Sequence, residues 1–226
     1  ASHSLDYRDG LLVLGATRCQ IAVVLGVESK TGGFWKTTYH RNTGLGSPNN
    51  RLGPVDSATV VAGQIYFGVG YYGGQASPVT GIIAYRPLFQ VAWAMWLEGV
   101  GLFDTEPDFY LTASKEGDDE YVFVASGSKI LKIKQDDQSV VNTHTLATKL
   151  AHSPGLRTDS QGRLWLGDPE RLIVYDTKGV SGFSEVAVRD GIDMSRFALR
   201  EDGNDVHVYF ALRGQKTQVQ TLVVSF

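Results

Sequence analysis

Apolar side chains in this chain come in short runs that alternate with polar ones and are broken by Gly, Asp, Asn and Pro, a period-two pattern of half-buried strands. The clearest stretch is Pro154 to Thr177. Gly155-Leu156-Arg157-Thr158 leads into the turn cluster Asp159-Ser160-Gln161-Gly162, where Gly162 can take the positive φ of a tight hairpin. Arg163-Leu164-Trp165-Leu166 is a second strand. Gly167-Asp168-Pro169-Glu170 breaks it, and Arg171-Leu172-Ile173-Val174-Tyr175 is a third, closed by Asp176. An outer strand follows at Glu185 to Val188.

The same order recurs along the chain. Ser4 to Tyr7, Leu11 to Gly15, Ile21 to Leu25 and Phe34 to His40 make a first unit. Thr59 to Val61, Gln64 to Gly68, Gly81 to Tyr85 and Val91 to Leu97 make a second. Phe109 to Thr112, Tyr121 to Ala125, Lys129 to Ile133 and Ser139 to Leu146 make a third; Arg196 to Leu199, Val206 to Phe210 and Val219 to Val224 make the last. A small residue marks equivalent points at Gly15, Gly68, Ala125, Gly167 and Ala211, at intervals of roughly 40 to 60 residues that suit four-stranded units. Only three strands can be counted in the last unit, which either stays so or is completed by the segment before Asp9. The pattern predicts an all-β chain forming one domain over residues 1–226, a small five-bladed β-propeller with four-stranded antiparallel blades. A β-sandwich or irregular β-barrel would share the short strands.

The Pro154 to Thr177 stretch resembles a β-propeller repeat of the two-component-regulator, NHL or gluconolactonase kind, whose core is D-x-x-G-x-h-W-h-x…h-h-x-Y-D, with h apolar. The resemblance implies a propeller whose binding face is built by the segments leading into the innermost strands. Gluconolactonase-like relatives hold a divalent cation in the channel. Their ligands have no residue-by-residue match here, so that activity is not carried over.

Two connections lack any period. Arg41 to Asp56, rich in Gly, Asn and Pro, reads as a long loop, and Gly68 to Pro78 reads as an exposed excursion that presents Tyr71 and Tyr72. Flat amphipathic side chains of this sort stack on sugar faces or anchor a protein partner. Trp93 and Trp96, in an apolar run, read instead as packing between blades.

Composition narrows the function classes. Lys and Arg total 21 against 24 Asp and Glu, scattered without a basic run, which argues against nucleic acid as a partner. No apolar run approaches the ~20 residues of a membrane-spanning helix. One cysteine, Cys19, rules out an intrachain disulfide and leaves the compartment open, with a slight lean to secreted or periplasmic. The chain opens on Ala1-Ser2-His3 without Met, which fits a processed chain.

Acids and a histidine cluster before the predicted innermost strands: Asp56, Asp104 to Asp108, His152 and Asp193, with Arg196 beside the last. Glu106 and Asp108 sit at alternate positions, so an extended segment would put both on one face. With Asp193 they could offer hard oxygen ligands to Ca²⁺ or Mg²⁺, and His152 could act as a base. The same residue types also make local turn hydrogen bonds, and no cofactor is expected on that reading. No H-x-x-x-H, G-x-S-x-G or phosphate-loop spacing occurs. Two functions therefore stand side by side. One is a non-catalytic module binding a protein or carbohydrate through Tyr71, Tyr72, Asp56 and Arg196. The other is a hydrolase or lyase, dependent on a divalent ion, with its site at the channel.

Overall fold

A computed structural model describes the backbone of strands within residues 3–96, and residues 110–150, 154–179, 182–211 and 218–226 in full. The described elements are all strands, in five antiparallel sheets. The first sheet holds β1 (His3–Arg8), β2 (Leu11–Arg18), β3 (Ile21–Glu28) and β4 (Phe34–Thr38). The second holds β5 (Leu52–Val61), β6 (Gln64–Tyr71), β7 (Val79–Arg86) and β8 (Gln90–Trp96). β9 (Phe109–Glu116), β10 (Asp119–Ser126), β11 (Lys129–Lys134) and β12 (Val140–Thr145) form the third. β13 (Gly155–Thr158), β14 (Leu164–Gly167), β15 (Arg171–Gly179) and β16 (Gly182–Asp190) form the fourth. The fifth consists of β17 (Phe197–Asp202), β18 (Asp205–Ala211) and β19 (Val219–Ser225).

Each sheet is a meander in chain order. The first strands meet in succession, β1 with β5, β5 with β9, β9 with β13 and β13 with β17, while β12 meets β16 farther out. This is the arrangement of propeller blades, and the fold is an all-β propeller. Among the described residues the last blade has three strands, and β1 pairs with β2 rather than completing it.

Blade packing follows from the alternation. In the fourth blade Leu164, Leu166, Ile173 and Tyr175 turn to one side and pack with Phe123, Ala125 and Ile130 of the third. Trp165, Leu172 and Val174 turn to the other and pack with Val206, Val208 and Phe210 of the fifth. Trp165 and Tyr175 are both fully buried, each removing from water an apolar area that stabilises the fold by several kcal/mol, on the order of 2–3 each. The aromatic positions of the repeat are thus its contacts to the blades on either side.

The acid and glycine of the repeat set the hairpin. Oδ1 of Asp159 accepts from the backbone N–H of Gln161 (3.0 Å) and Arg163 (2.9 Å). Its Oδ2 accepts from Arg163 Nε at 2.6 Å and from Trp165 Nε1 at 2.9 Å. One buried carboxylate therefore closes the turn and satisfies the indole N–H that burial would otherwise orphan. Gly162 has φ of 76°, and a methyl group there would meet the Glu116 side chain at 2.9 Å.

Glu116 belongs to a polar joint between blades. Lys132 Nζ, buried, donates to Glu116 Oε1 (2.9 Å) and Oε2 (3.0 Å) and to the carbonyl of Thr177 (3.1 Å). It also lies 4.1 Å from the centroid of the Tyr121 ring. Thr158 Oγ1 donates to the Ala113 carbonyl at 2.5 Å, tying β13 to β9. On the far side, the N–H of Ser160 donates to Glu201 Oε1 at 2.8 Å and its hydroxyl to Oε2, so carboxylates from both neighbours reach the same turn.

Several boundaries differ from the sequence reading. The segment from Leu52 to Asp56, expected as loop, is the start of β5; its register slips between Leu52 and Val55 and again between Val55 and Ser57. Gly53, Pro54 and these bulges hide the period of two, and Pro54 is tolerated because β5 is an edge strand. β6 continues to Tyr71, which pairs with Leu52 and Val79, so Tyr71 is a strand residue and not part of a loop. The third strand of the fourth blade runs past Asp176 to Gly179.

Candidate functional site

Register fixes which end of a blade carries its connections. In the fourth blade Gly155 pairs with Gly167, Gly167 with Leu172, and Leu172 with Arg189. The start of β13, the turn between β14 and β15, and the exit of β16 therefore share one end, called here the upper face. The connection from β16 to β17 crosses it closely. The Met194 N–H donates to the Asp168 carbonyl at 2.8 Å, and a methyl group on Gly167 would lie 2.0 Å from the Met194 carbonyl oxygen. That approach is the reason for a small residue at the end of the second strand.

An open groove of about 770 Å³ lies on this face, lined by Thr148, Lys149, Asp168, Pro169, Glu170, Arg171, Asp190 and Gly191. Its floor is a second Asx turn. Asp168 Oδ1 accepts from the N–H of Glu170 (2.8 Å) and Arg171 (2.9 Å), and Oδ2 faces Arg171 Nε at 3.3 Å. The guanidinium also donates through NH2 to Thr148 Oγ1 at 2.7 Å, which bridges the turn to the segment leading into β13. Across the β15–β16 ladder, Arg171 pairs with Asp190, and the Gly191 N–H donates to the Glu170 carbonyl at 2.7 Å. Glu170 and Asp190 are exposed at the groove.

The sequence-predicted residues fall in three groups. Asp193 and Arg196 lie on the connection from β16 to β17. Asp193 Oδ1 accepts from the Ser195 N–H at 3.1 Å and hydroxyl at 2.6 Å, while Arg196 is exposed. Asp56 and Tyr71 are placed by backbone alone: Asp56 at the bulge midway along β5, Tyr71 at the end of β6 that adjoins the start of β5. Tyr72, Glu106, Asp108 and His152 lie outside the described residues. Glu106 and Asp108 precede β9, and His152 precedes β13, by chain order.

Among the described residues no three His, Cys, Asp or Glu side chains converge as a metal site, and no helix is long and apolar enough to cross a membrane. The groove residues Asp168, Glu170, Arg171 and Asp190 were not legible as a site. An Asp-Pro-Glu-Arg turn looks the same in sequence whether it merely reverses the chain or also lines a concavity.

Comparison with protein-family models finds no match, and comparison with curated proteins finds none. Solved structures do match. The chain is similar to the major Malassezia sympodialis allergen Mala s 1, with TM-score 0.56 and 10% identity over 98% of this chain and 78% of that one. It is similar to the β-propeller domain of Myceliophteria thermophila Cps50 (Swd1), with TM-score 0.53 and 11% identity over 97% and 71%. It is also similar to the GH43_1 enzyme from Xanthomonas citri complexed with xylose, with TM-score 0.50 and 12% identity over 100% and 86%. At such identities the likeness is one of fold, and it is to propellers without distinguishing among repeat families.

Proposed function

We propose that this chain acts on carbohydrate as a hydrolase, with its site on the upper face where the innermost strands begin. The observation that carries this reading is the placement of Asp104, Glu106 and Asp108, carboxylates at alternate positions, on the segment that leads directly into β9 at Phe109. Glycoside hydrolysis needs two carboxyl groups, one to protonate the leaving oxygen and one to act as base or nucleophile. Glu106 and Asp108 supply such a pair, and His152 precedes the next inner strand as a further proton acceptor. The fold is shared with an enzyme whose structure holds xylose, which agrees with this reading. Should Ca²⁺ or Mg²⁺ bind, Glu106, Asp108 and Asp193 would be its oxygen ligands.

A second reading is a non-catalytic binding module for a carbohydrate or a protein partner. It is favoured by Asp168 and Asp193, whose carboxylates are occupied in closing turns. A screen of aryl glycosides and neutral oligosaccharides, with and without EDTA, separates the two. Release of aglycone or shortened oligosaccharide is the expected result. Saturable binding with no product from any substrate would overturn the hydrolase and leave the binding module.

A further inference from the structure

The outer edge of the fifth blade differs from the outer edges of the others. Natural sheets guard an open edge with a charged side chain, a proline or a slipped register, because a flat strand with free N–H and C=O groups pairs with whatever strand it meets. β4 carries Lys36, and β16 carries Glu185, Arg189 and Asp190. The register slips where β8 joins β7 and where β12 joins β11. β19 has neither guard. It reads VQTLVVS, without charge or proline, and its register against β18 runs unbroken from Ala211 opposite Val219 to Asp205 opposite Ser225. Its apolar side chains are also uncovered, Val219 being 71% exposed, Val223 44% and the adjoining Phe226 41%.

The phase of this edge follows from one hydrogen bond. The Phe226 N–H donates to the Asn204 carbonyl at 3.2 Å, so by alternation Val224, Leu222 and Gln220 turn their backbone groups toward β18. Val219, Thr221, Val223 and Ser225 turn theirs outward, where no further strand belongs to the sheet. We propose that β19 pairs antiparallel with β19 of a second copy of this chain, about a two-fold axis at Leu222. Val219 then stands opposite Ser225 and Thr221 opposite Val223. These are the residues whose backbone groups point outward, so each pair exchanges both of its hydrogen bonds, and β-branched side chains meet across the seam. The two ends of the strand are complementary in charge. Asp202 and Asp205 adjoin Ser225 through the β17–β18 turn, while Arg213 and Lys216 fall between Ala211 and Val219 in chain order. Antiparallel pairing sets the basic connection of one copy against the acidic turn of the other, and a parallel one would set like against like. Each copy offers the same edge, so the contact closes on itself as a dimer.

Sedimentation equilibrium of the whole chain, from micromolar to millimolar concentration, tests the pairing in the wild type and in two variants. V223K places a charge on the exposed edge, and T221P removes an N–H that β18 does not use, so both should keep the wild-type circular dichroism. We expect a monomer–dimer equilibrium in the wild type, with association weakened roughly tenfold or more in each variant. Hydrogen exchange should show the amides of Val219, Thr221, Val223 and Ser225 slowing as the wild-type concentration rises. A wild type that stays monomeric throughout, or a dimer as strong in both variants, would overturn the proposal. Protection of these amides only after another protein is added would also overturn it, and would make that protein the occupant of the edge.

Discussion

Asp159 shows how much one side chain can organise: it holds two backbone donors, a guanidinium and an indole, and no part of it is exposed. Asp159→Ala leaves the Trp165 N–H and the Arg163 charge without their partner. Chemical denaturation should show a loss of about 2–4 kcal/mol. Lys132 and Glu116 form a pair of another kind, almost wholly buried between blades. Removing one partner, as in Glu116→Gln, strands a buried charge at a cost of about 3–5 kcal/mol, whereas the apolar double variant K132M/E116L should recover most of that. A double variant no more stable than the single one would contradict this account of the joint.

His144 gives the seam between the third and fourth blades a pH dependence. Its ring lies 4.9 Å from that of Tyr175 and 5.2 Å from that of Phe183. Burial lowers its pKa below the ordinary 6.5, and the nearby Glu185 carboxylate opposes this without reversing it. The unfolded chain thus takes up the proton first as pH falls. Stability from this group is full above about 6.5 and declines below it, down through the lowered value in the folded protein. Melting temperatures from pH 8 to pH 5 should fall more in the wild type than in His144→Phe; parallel curves would remove His144 from the explanation.

At the scale of strands and turns, sequence carried most of the information where local chemistry and tertiary role agree. Asp159-Ser160-Gln161-Gly162 reads as a turn and is one, and Trp165 and Tyr175, which read as strand residues, are buried between blades. Legibility failed where backbone irregularity broke the period. The bulges of β5 hid a strand around Asp56, and the glycines around Tyr71 suggested a loop where β6 continues. It failed again at Asp168 to Arg171, because groove formation depends on Thr148 and Asp190, remote in sequence. Gly167 belongs to this scale too. Its side-chain space is filled by the Met194 carbonyl, so Gly167→Ala must push apart β14 and the connection to β17. A cost of about 1–3 kcal/mol is expected, read as a lowered thermal midpoint; an unchanged midpoint would mean that the connection can yield.

For the whole molecule, repetition accounts for the fold and departure from repetition accounts for the function proposed. Each blade must bury both faces, so the apolar and aromatic positions recur and say little about ligand. The upper face is free of that demand. In chain order the segments before the inner strands differ from blade to blade, with carboxylates at Asp104, Glu106 and Asp108 before β9, His152 before β13, and Asp193 and Arg196 before β17. A single site built from unlike segments suits an enzyme acting on one substrate better than it suits repeated, equivalent binding sites.

That claim is tested most directly by measuring hydrolysis of the best neutral glycoside by the wild type, E106Q and D108N under identical conditions, with folding verified by thermal midpoint. Wild-type turnover that drops by about 100-fold or more in either variant, with the midpoint unchanged, is the predicted result. Turnover undiminished in both would contradict the assignment of these carboxylates and of the site they define.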